Sequence, residues 1–170
     1  MSKINETIIK PLHNIVLLPI FTIFTFSLFA SSAFAGPAPA ISQFDVLAVT
    51  STAYNPVLPS PLTKESFLTM NWDVVPGPSQ IKQSNLKHGG GWVAFVTETY
   101  GYRVNGAPPV PTYNAVKVTY FGTVNRVDSS RTVIGYWDEY YCNCNPKGSF
   151  KATTTSINNY RTWSANMYVN

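Results

Sequence analysis

The sequence predicts an all-β protein, a small antiparallel β-sandwich or open barrel of about six to eight strands that follows a cleaved signal peptide. All 10 tyrosines and all 4 tryptophans lie after residue 35, among many threonines and valines, and these residue types suit a pleated, half-buried surface. Several segments alternate apolar and polar residues and are separated by turn signals. Long stretches rich in leucine, glutamate or alanine, which would indicate helices, are missing from this part of the chain.

The first 35 residues have the three parts of a signal peptide. Lys3 and Lys10 supply a positively charged start, and residues 15–30 form an apolar run without a charge. Residues 31–35 end the segment with the small side chains that signal peptidase accepts. We therefore expect residues 1–35 to be removed during export.

An uncleaved membrane anchor is the alternative for this segment. Its apolar run is shorter than the roughly 20 residues that cross a bilayer as a helix, and Pro19 interrupts it. Cleavage before Gly36 would leave a single β domain over residues 36–170 with no stable membrane anchor. We expect this domain to be secreted or periplasmic in a bacterium.

The first strand is predicted over residues 42–50, with Phe44, Val46 and Ala48 on one face. A proline-rich loop follows, because proline cannot donate to a sheet ladder. Residues 64–75 are ambiguous, since a helical turn over their first part and a strand over their second part fit equally well.

The middle of the chain is predicted to contain one buried strand and one tight turn. Residues 92–99 begin apolar on both faces and become half-exposed toward their end. Asn105-Gly106 is a strong two-residue turn signal, because both residues tolerate a positive φ. Three prolines over residues 108–111 limit the next strand to a sheet edge.

Four further strands are predicted in the last third of the chain. They cover residues 115–124, 132–141, 149–157 and 161–169. The first of these places Val116, Val118, Tyr120 and Val124 on one face, and the last places Trp163, Ala165, Met167 and Val169 on one face.

His88 is the single histidine left after removal of the leader. One histidine excludes a multi-histidine metal site within the chain, and no Gly-x-Ser-x-Gly elbow is present to complete a serine hydrolase. The segment His88-Gly-Gly-Gly is similar to the oxyanion loop of some esterases, but a flexible turn before a strand, where glycine supplies backbone freedom, is the favoured interpretation. We predict no metal and no cofactor.

Cys142 and Cys144 are the second notable pair of residues. In an oxidising compartment two thiols rarely stay free, so an internal disulfide is the favoured prediction. Free or intermolecular thiols and a soft-metal site are the alternatives.

Aromatic residues are the richest feature of the domain. Tyrosine and tryptophan platforms stack on sugars or anchor protein interfaces, but small β domains also fill their cores with them. The clustered aromatic residues on segments expected to be sheet neighbours are Tyr100, Tyr102, Tyr136, Trp137, Tyr140 and Tyr141.

Four short patterns give the chain a family resemblance. They are His88-Gly-Gly, Glu98-x-Tyr-Gly-Tyr102, Gly135-x-Trp-x-Glu139 and the segment over residues 148–157. With these patterns the chain resembles a family of small secreted bacterial proteins, a domain of unknown function typified by the Bacillus extracellular protein YolA. The resemblance implies an exported bacterial β protein and brings no established catalytic residue. Cys142 and Cys144 have no clear counterpart in the family.

These observations predict a non-enzymatic binding module that recognises a glycan or a protein through surface aromatic side chains. The formal net charge of +4 comes from scattered residues, so a nucleic-acid partner is not expected. The alternative is a small secreted hydrolase that uses His88 with a nearby carboxylate such as Glu98. The candidate ligand-binding residues are His88, Trp92, Glu98, Tyr100, Tyr102 and Trp137.

Overall fold

Ten strands, one short α-helix and one 3-10 turn (Val104–Gly106) lie within the described part of the unit Ala38–Asn170. The computed structural model describes residues 38–57, 59, 64–75 and 82–170, so the predicted signal peptide lies outside the described residues. No described helix is long and apolar enough to cross a membrane. The elements are β1 (Gln43–Ser51), α1 (Lys64–Leu68), β2 (Asp73–Val74), β3 (Lys82–Gln83), β4 (Val93–Tyr100), β5 (Val110–Tyr113), β6 (Val116–Lys117), β7 (Thr119–Val127), β8 (Val133–Cys142), β9 (Gly148–Thr155) and β10 (Thr162–Val169).

The strands form two five-stranded sheets that are not closed into a barrel, which confirms the predicted all-β sandwich. Sheet A has the order β2-β1-β4-β8-β7, and sheet B has the order β3-β10-β9-β5-β6. Neighbouring strands are antiparallel except β3 and β10, which are parallel. The strand number exceeds the prediction because β2, β3 and β6 are only two residues long.

The main core lies between the two sheets. Phe95 from β4 stacks on Phe150 from β9 at a ring-centroid distance of 4.1 Å, and it meets the Tyr113 ring at 5.1 Å. The alternation predicted for the last strand is confirmed, because Ala165 and Met167 of β10 are buried in this core. Burial of these apolar side chains is the main stabilising contribution to the sandwich.

A second apolar cluster covers the other face of sheet A. Ala94 and Val96 of β4 point away from sheet B and pack with Phe67 of α1 and with Met70. The ambiguity over residues 64–75 is thus resolved as a helix followed by a two-residue strand.

The predicted face of the first strand is partly wrong. Phe44 and Val46 point into the core between the sheets, but Ala48 belongs to the second cluster on the opposite face. A β-bulge between Val46 and Ala48 is the reason, because the extra residue moves all later side chains to the other face.

The predicted strand over residues 115–124 is divided between the two sheets. Its first part is β6 of sheet B, its second part is β7 of sheet A, and the buried Val118 lies where the chain crosses. The edge prediction for the proline-rich strand is also wrong, because β5 pairs with both β9 and β6. Pro111 is tolerated there because β6 pairs only with Thr112 and Tyr113.

The turn signal at Asn105-Gly106 is confirmed. Asn105 has a φ of 52° and Gly106 a φ of 64°, and the Ala107 amide donates to the Val104 carbonyl across the turn.

Candidate functional site

Three of the predicted binding residues come together on the outer face of sheet A. Glu98 of β4 lies directly opposite Trp137 of β8, and Tyr100 lies two residues further along β4. Arg126 of β7 joins them, because it shares the same cross-strand row as Gly135 and Tyr100. Arg126 was not predicted from the sequence, since only the pairing of β7 with β8 brings it to this place.

These side chains hold one another in fixed orientations. Trp137 Nε1 donates a hydrogen bond to Glu98 Oε1 at 3.0 Å, and Arg126 Nη1 forms an ion pair with the same oxygen at 3.1 Å. The guanidinium carbon of Arg126 lies 3.8 Å from the centre of the Tyr100 ring and 5.3 Å from that of Trp137. Gly135 carries no side chain between Tyr100 and Arg126, so the guanidinium reaches across β8.

A cavity of about 140 Å³ adjoins this group, and we call it the tryptophan cavity. Trp72 and Trp137 both line it, and each indole is oriented by its own N–H, since Trp72 Nε1 donates to the Phe67 carbonyl at 3.3 Å. At the rim, Leu68 is 44% exposed and Val74 is 52% exposed. The lining residues are Leu47, Ala48, Leu68, Trp72, Val74, Val96 and Trp137.

Two other predicted binding residues are held by contacts within the fold. Trp92 is buried, and its ring centroid lies 6.1 Å from that of Tyr141 in the second cluster. The Tyr102 hydroxyl donates to the Val133 carbonyl at 2.6 Å, and its ring meets Tyr136 edge-on. The structure therefore does not bring Trp92 or Tyr102 into the tryptophan cavity.

His88 lies in a buried polar network, away from Glu98. Its Nδ1 is 3.1 Å from Ser51 Oγ, and its Nε2 is 3.4 Å from Asp73 Oδ2. The histidine side chain is fully buried, and the Tyr54 ring packs edge-on against it at 5.1 Å. Asp73 also accepts a hydrogen bond from the Leu86 amide at 2.9 Å. The network thus ties the loop after β3 to β1 and β2.

This network predicts a loss of stability in mild acid. Burial lowers the pKa of His88, although Asp73 acts in the opposite direction. The unfolded chain then binds a proton more readily than the folded one, so the free energy of unfolding falls as the pH drops below about 6.5, by at most about 1.4 kcal/mol per pH unit. Urea unfolding of the protein and of His88→Gln at several pH values measures this slope. An equal slope in the variant would contradict the assignment to His88.

A buried ion pair between the sheets was not predicted. Arg103 Nη1 lies 2.5 Å from Asp138 Oδ2, and Thr123 Oγ1 donates to Asp138 Oδ1 at 2.5 Å. Arg103 also places its guanidinium 4.2 Å from the centre of the Tyr136 ring. Asp138 faces the interior while Glu139 faces the second cluster, as expected for consecutive residues of a strand, and both are fully buried.

Cys142 and Cys144 form a disulfide at the end of β8. Their Cα atoms are 5.3 Å apart, within the usual range for a bridge of about 4.4–6.8 Å. The internal bridge was the favoured prediction. Within the described residues, no group of three or more His, Cys, Asp or Glu side chains is placed to hold one metal ion.

Comparison with known proteins gives a family but no described activity. No match was found among proteins with curated descriptions or among solved structures. A family model described as a domain of unknown function, DUF4879, matches residues 36–169, which include every strand of both sheets. The chain therefore belongs to the DUF4879 family.

Proposed function

We propose that this chain is an exported bacterial binding module, not an enzyme, which recognises a protein or a glycan partner through surface aromatic side chains. The observation that carries the proposal is the tryptophan cavity, in which Trp72 and Trp137 are oriented beside exposed apolar residues. Binding sites are typically apolar concavities with a few placed polar groups, and Glu98 and Arg126 supply such groups next to Trp137.

The lining of the tryptophan cavity favours a protein partner at this place. Ala48 and Val96 are apolar, and Leu68 and Val74 are exposed at the rim. An apolar cavity of about 150 Å³ can accept a benzene-sized group. A leucine or aromatic side chain of a partner would fill the 140 Å³ available here and act as the anchor of the interface.

Export is supported by two independent features of the chain. Residues 1–35 have the pattern of a signal peptide. The disulfide between Cys142 and Cys144 is of a kind that persists in oxidising compartments. The partner is then expected among proteins or glycans outside the cytoplasm.

Peptides selected from a random phage-displayed library on the folded protein test the proposal. We expect them to share an apolar anchor and to lose affinity at least about tenfold on Leu68→Glu and on Trp137→Ala. Leu68 is exposed, so its replacement removes the anchor site without opening the core. Fluorescence anisotropy with labelled peptides measures the affinities.

The matched control is Val116→Glu, because Val116 is 62% exposed on sheet B and is replaced by the same acid. Affinity unchanged in this control supports the tryptophan cavity as the site. Peptides that bind Leu68→Glu and Trp137→Ala as well as the native protein would contradict it.

A small hydrolase using His88 is the alternative function. The contacts of His88 with Ser51 and Asp73 favour it, because a hydroxyl, an imidazole and a carboxylate lie in sequence. Complete burial of the imidazole argues against it, since no substrate reaches the histidine in this conformation. Ester hydrolysis that is lost in His88→Gln, while the fold is retained, would establish this alternative.

A further inference from the structure

We infer that a second cavity, at the end of sheet B where β9 turns into β10, binds an uncharged sugar unit of a glycan. The cavity has a volume of about 330 Å³, more than twice that of the tryptophan cavity. We call it the Tyr160 cavity. The inference rests on the proposal of a binding module. The Tyr160 cavity itself lies on sheet B and shares no lining residue with the tryptophan cavity.

The lining of the Tyr160 cavity combines hydroxyl groups with apolar surface. Thr153 and Thr155 come from β9, and Thr162 of β10 lies directly opposite Thr155. Pro108 and Val110 supply the apolar part, and Val110 is 65% exposed. Among the residues that the structure describes, none that lines the cavity is charged. A ligand that fits has hydroxyl groups, an apolar face and no charge, which is the chemistry of a neutral sugar ring.

Tyr160 presents its ring to solvent at this cavity. The residue is 72% exposed, and within the described part of the chain it makes no hydrogen bond or ring contact. Its φ of 51° is in the left-handed region, which bulky residues rarely adopt. An aromatic ring kept exposed at a backbone cost is better explained by a ligand that stacks on it than by the needs of the fold.

The turn that carries Tyr160 is fixed on both sides of the residue. The Ser156 amide donates to the Arg161 carbonyl at 2.9 Å, and the Arg161 amide donates to Asn159 Oδ1 at 3.0 Å. On the facing rim, Asn105 also has a positive φ, within the tight turn already described. Both rims are therefore shaped by constrained turns, so the cavity is formed before a ligand arrives.

The decisive variant is Tyr160→Gly, because glycine adopts a positive φ without strain. We expect this variant to be at least as stable as the native protein in urea, yet to bind a sugar at least about fivefold more weakly. The probes are four neutral hexasaccharides (cello-, malto-, manno- and chitohexaose), with polygalacturonate as a charged comparison. Affinities are measured by calorimetry on the folded protein, and amide chemical shifts locate the site.

Three further variants, Val110→Asp, Val116→Asp and Trp137→Ala, test whether a bound sugar occupies the Tyr160 cavity and no other place. Val110→Asp places a charge in the Tyr160 cavity, whereas Val116→Asp places the same charge on a similarly exposed residue outside the lining. The inference is supported if a neutral hexasaccharide binds, shifts the amides of Thr153 and Thr155, and is weakened by Val110→Asp but not by Val116→Asp. It is overturned if no hexasaccharide binds, if only polygalacturonate binds, or if Tyr160→Gly binds as the native protein does. Sugar binding that is lost in Trp137→Ala instead would overturn it while leaving the binding-module proposal standing.

Discussion

Replacing Asp138 with alanine is expected to lower the free energy of unfolding by about 3–5 kcal/mol, because it leaves the Arg103 charge buried without its partner. Arg103 is 3% exposed and Asp138 is fully buried, so water cannot take over the solvation of the guanidinium. Thr123 also loses the acceptor of its hydroxyl. Urea unfolding followed by tryptophan fluorescence measures the change.

Two comparisons separate the cost of an unpaired charge from the value of the pair. Glu98→Gln breaks the partly exposed pair with Arg126, and we expect it to cost about 1 kcal/mol or less. The double variant Arg103→Met with Asp138→Leu removes both charges and is expected to recover most of the lost stability. An Asp138→Ala variant as stable as the native protein would show that the charge is not confined between the sheets.

Replacing Phe95 with alanine is expected to cost about 3–5 kcal/mol as well, through the cavity that it leaves in the core. Phe95 is fully buried, stacks on the Phe150 ring and packs at a tilt against the Tyr113 ring, both from the opposite sheet. These contacts join the two sheets, so their loss weakens the packing of one sheet on the other. The thermal midpoint and the urea midpoint both report the effect.

Phe121→Ala is the matched control for the core variant. Phe121 is only partly buried and stacks on Phe67 in the second cluster, outside the space between the sheets. A smaller loss is therefore expected for this second phenylalanine. Equal losses in the two variants would mean that the main core does not dominate the stability of the sandwich.

The sequence predicts best those strands whose two faces keep the same surroundings from one end of the strand to the other. Residues 92–99, 132–141 and 161–169 are confirmed by β4, β8 and β10, because each strand keeps the same faces along its whole length. The strand over residues 115–124 has an equally regular pattern, but it changes sheets at Val118. The common face predicted for this strand does not form, because Val118 is buried while Val116 and Tyr120 are exposed. Alternation alone does not show whether a second sheet covers a given side chain.

Which side chains meet at the candidate site depends on how the strands pair, and a single sequence does not reveal this pairing. Glu98 and Trp137 could be named from local patterns, but Arg126 joins them only because β7 pairs with β8. Arg103 and Asp138 are 35 residues apart in the chain, and nothing in either segment marks them as partners. Tyr160 could have been noticed only from its unusual backbone conformation, which is a property of the folded turn.

Gly135 limits which substitutions the outer face of sheet A can accept between Tyr100 and Arg126. A β carbon at this position would lie 2.0 Å from the Thr99 carbonyl oxygen, closer than real atoms approach. No larger residue can therefore replace Gly135 of β8 without moving the neighbouring backbone. Any change in the side chains that this face presents must therefore arise on the flanking strands, at Tyr100 on one side or at Arg126 on the other.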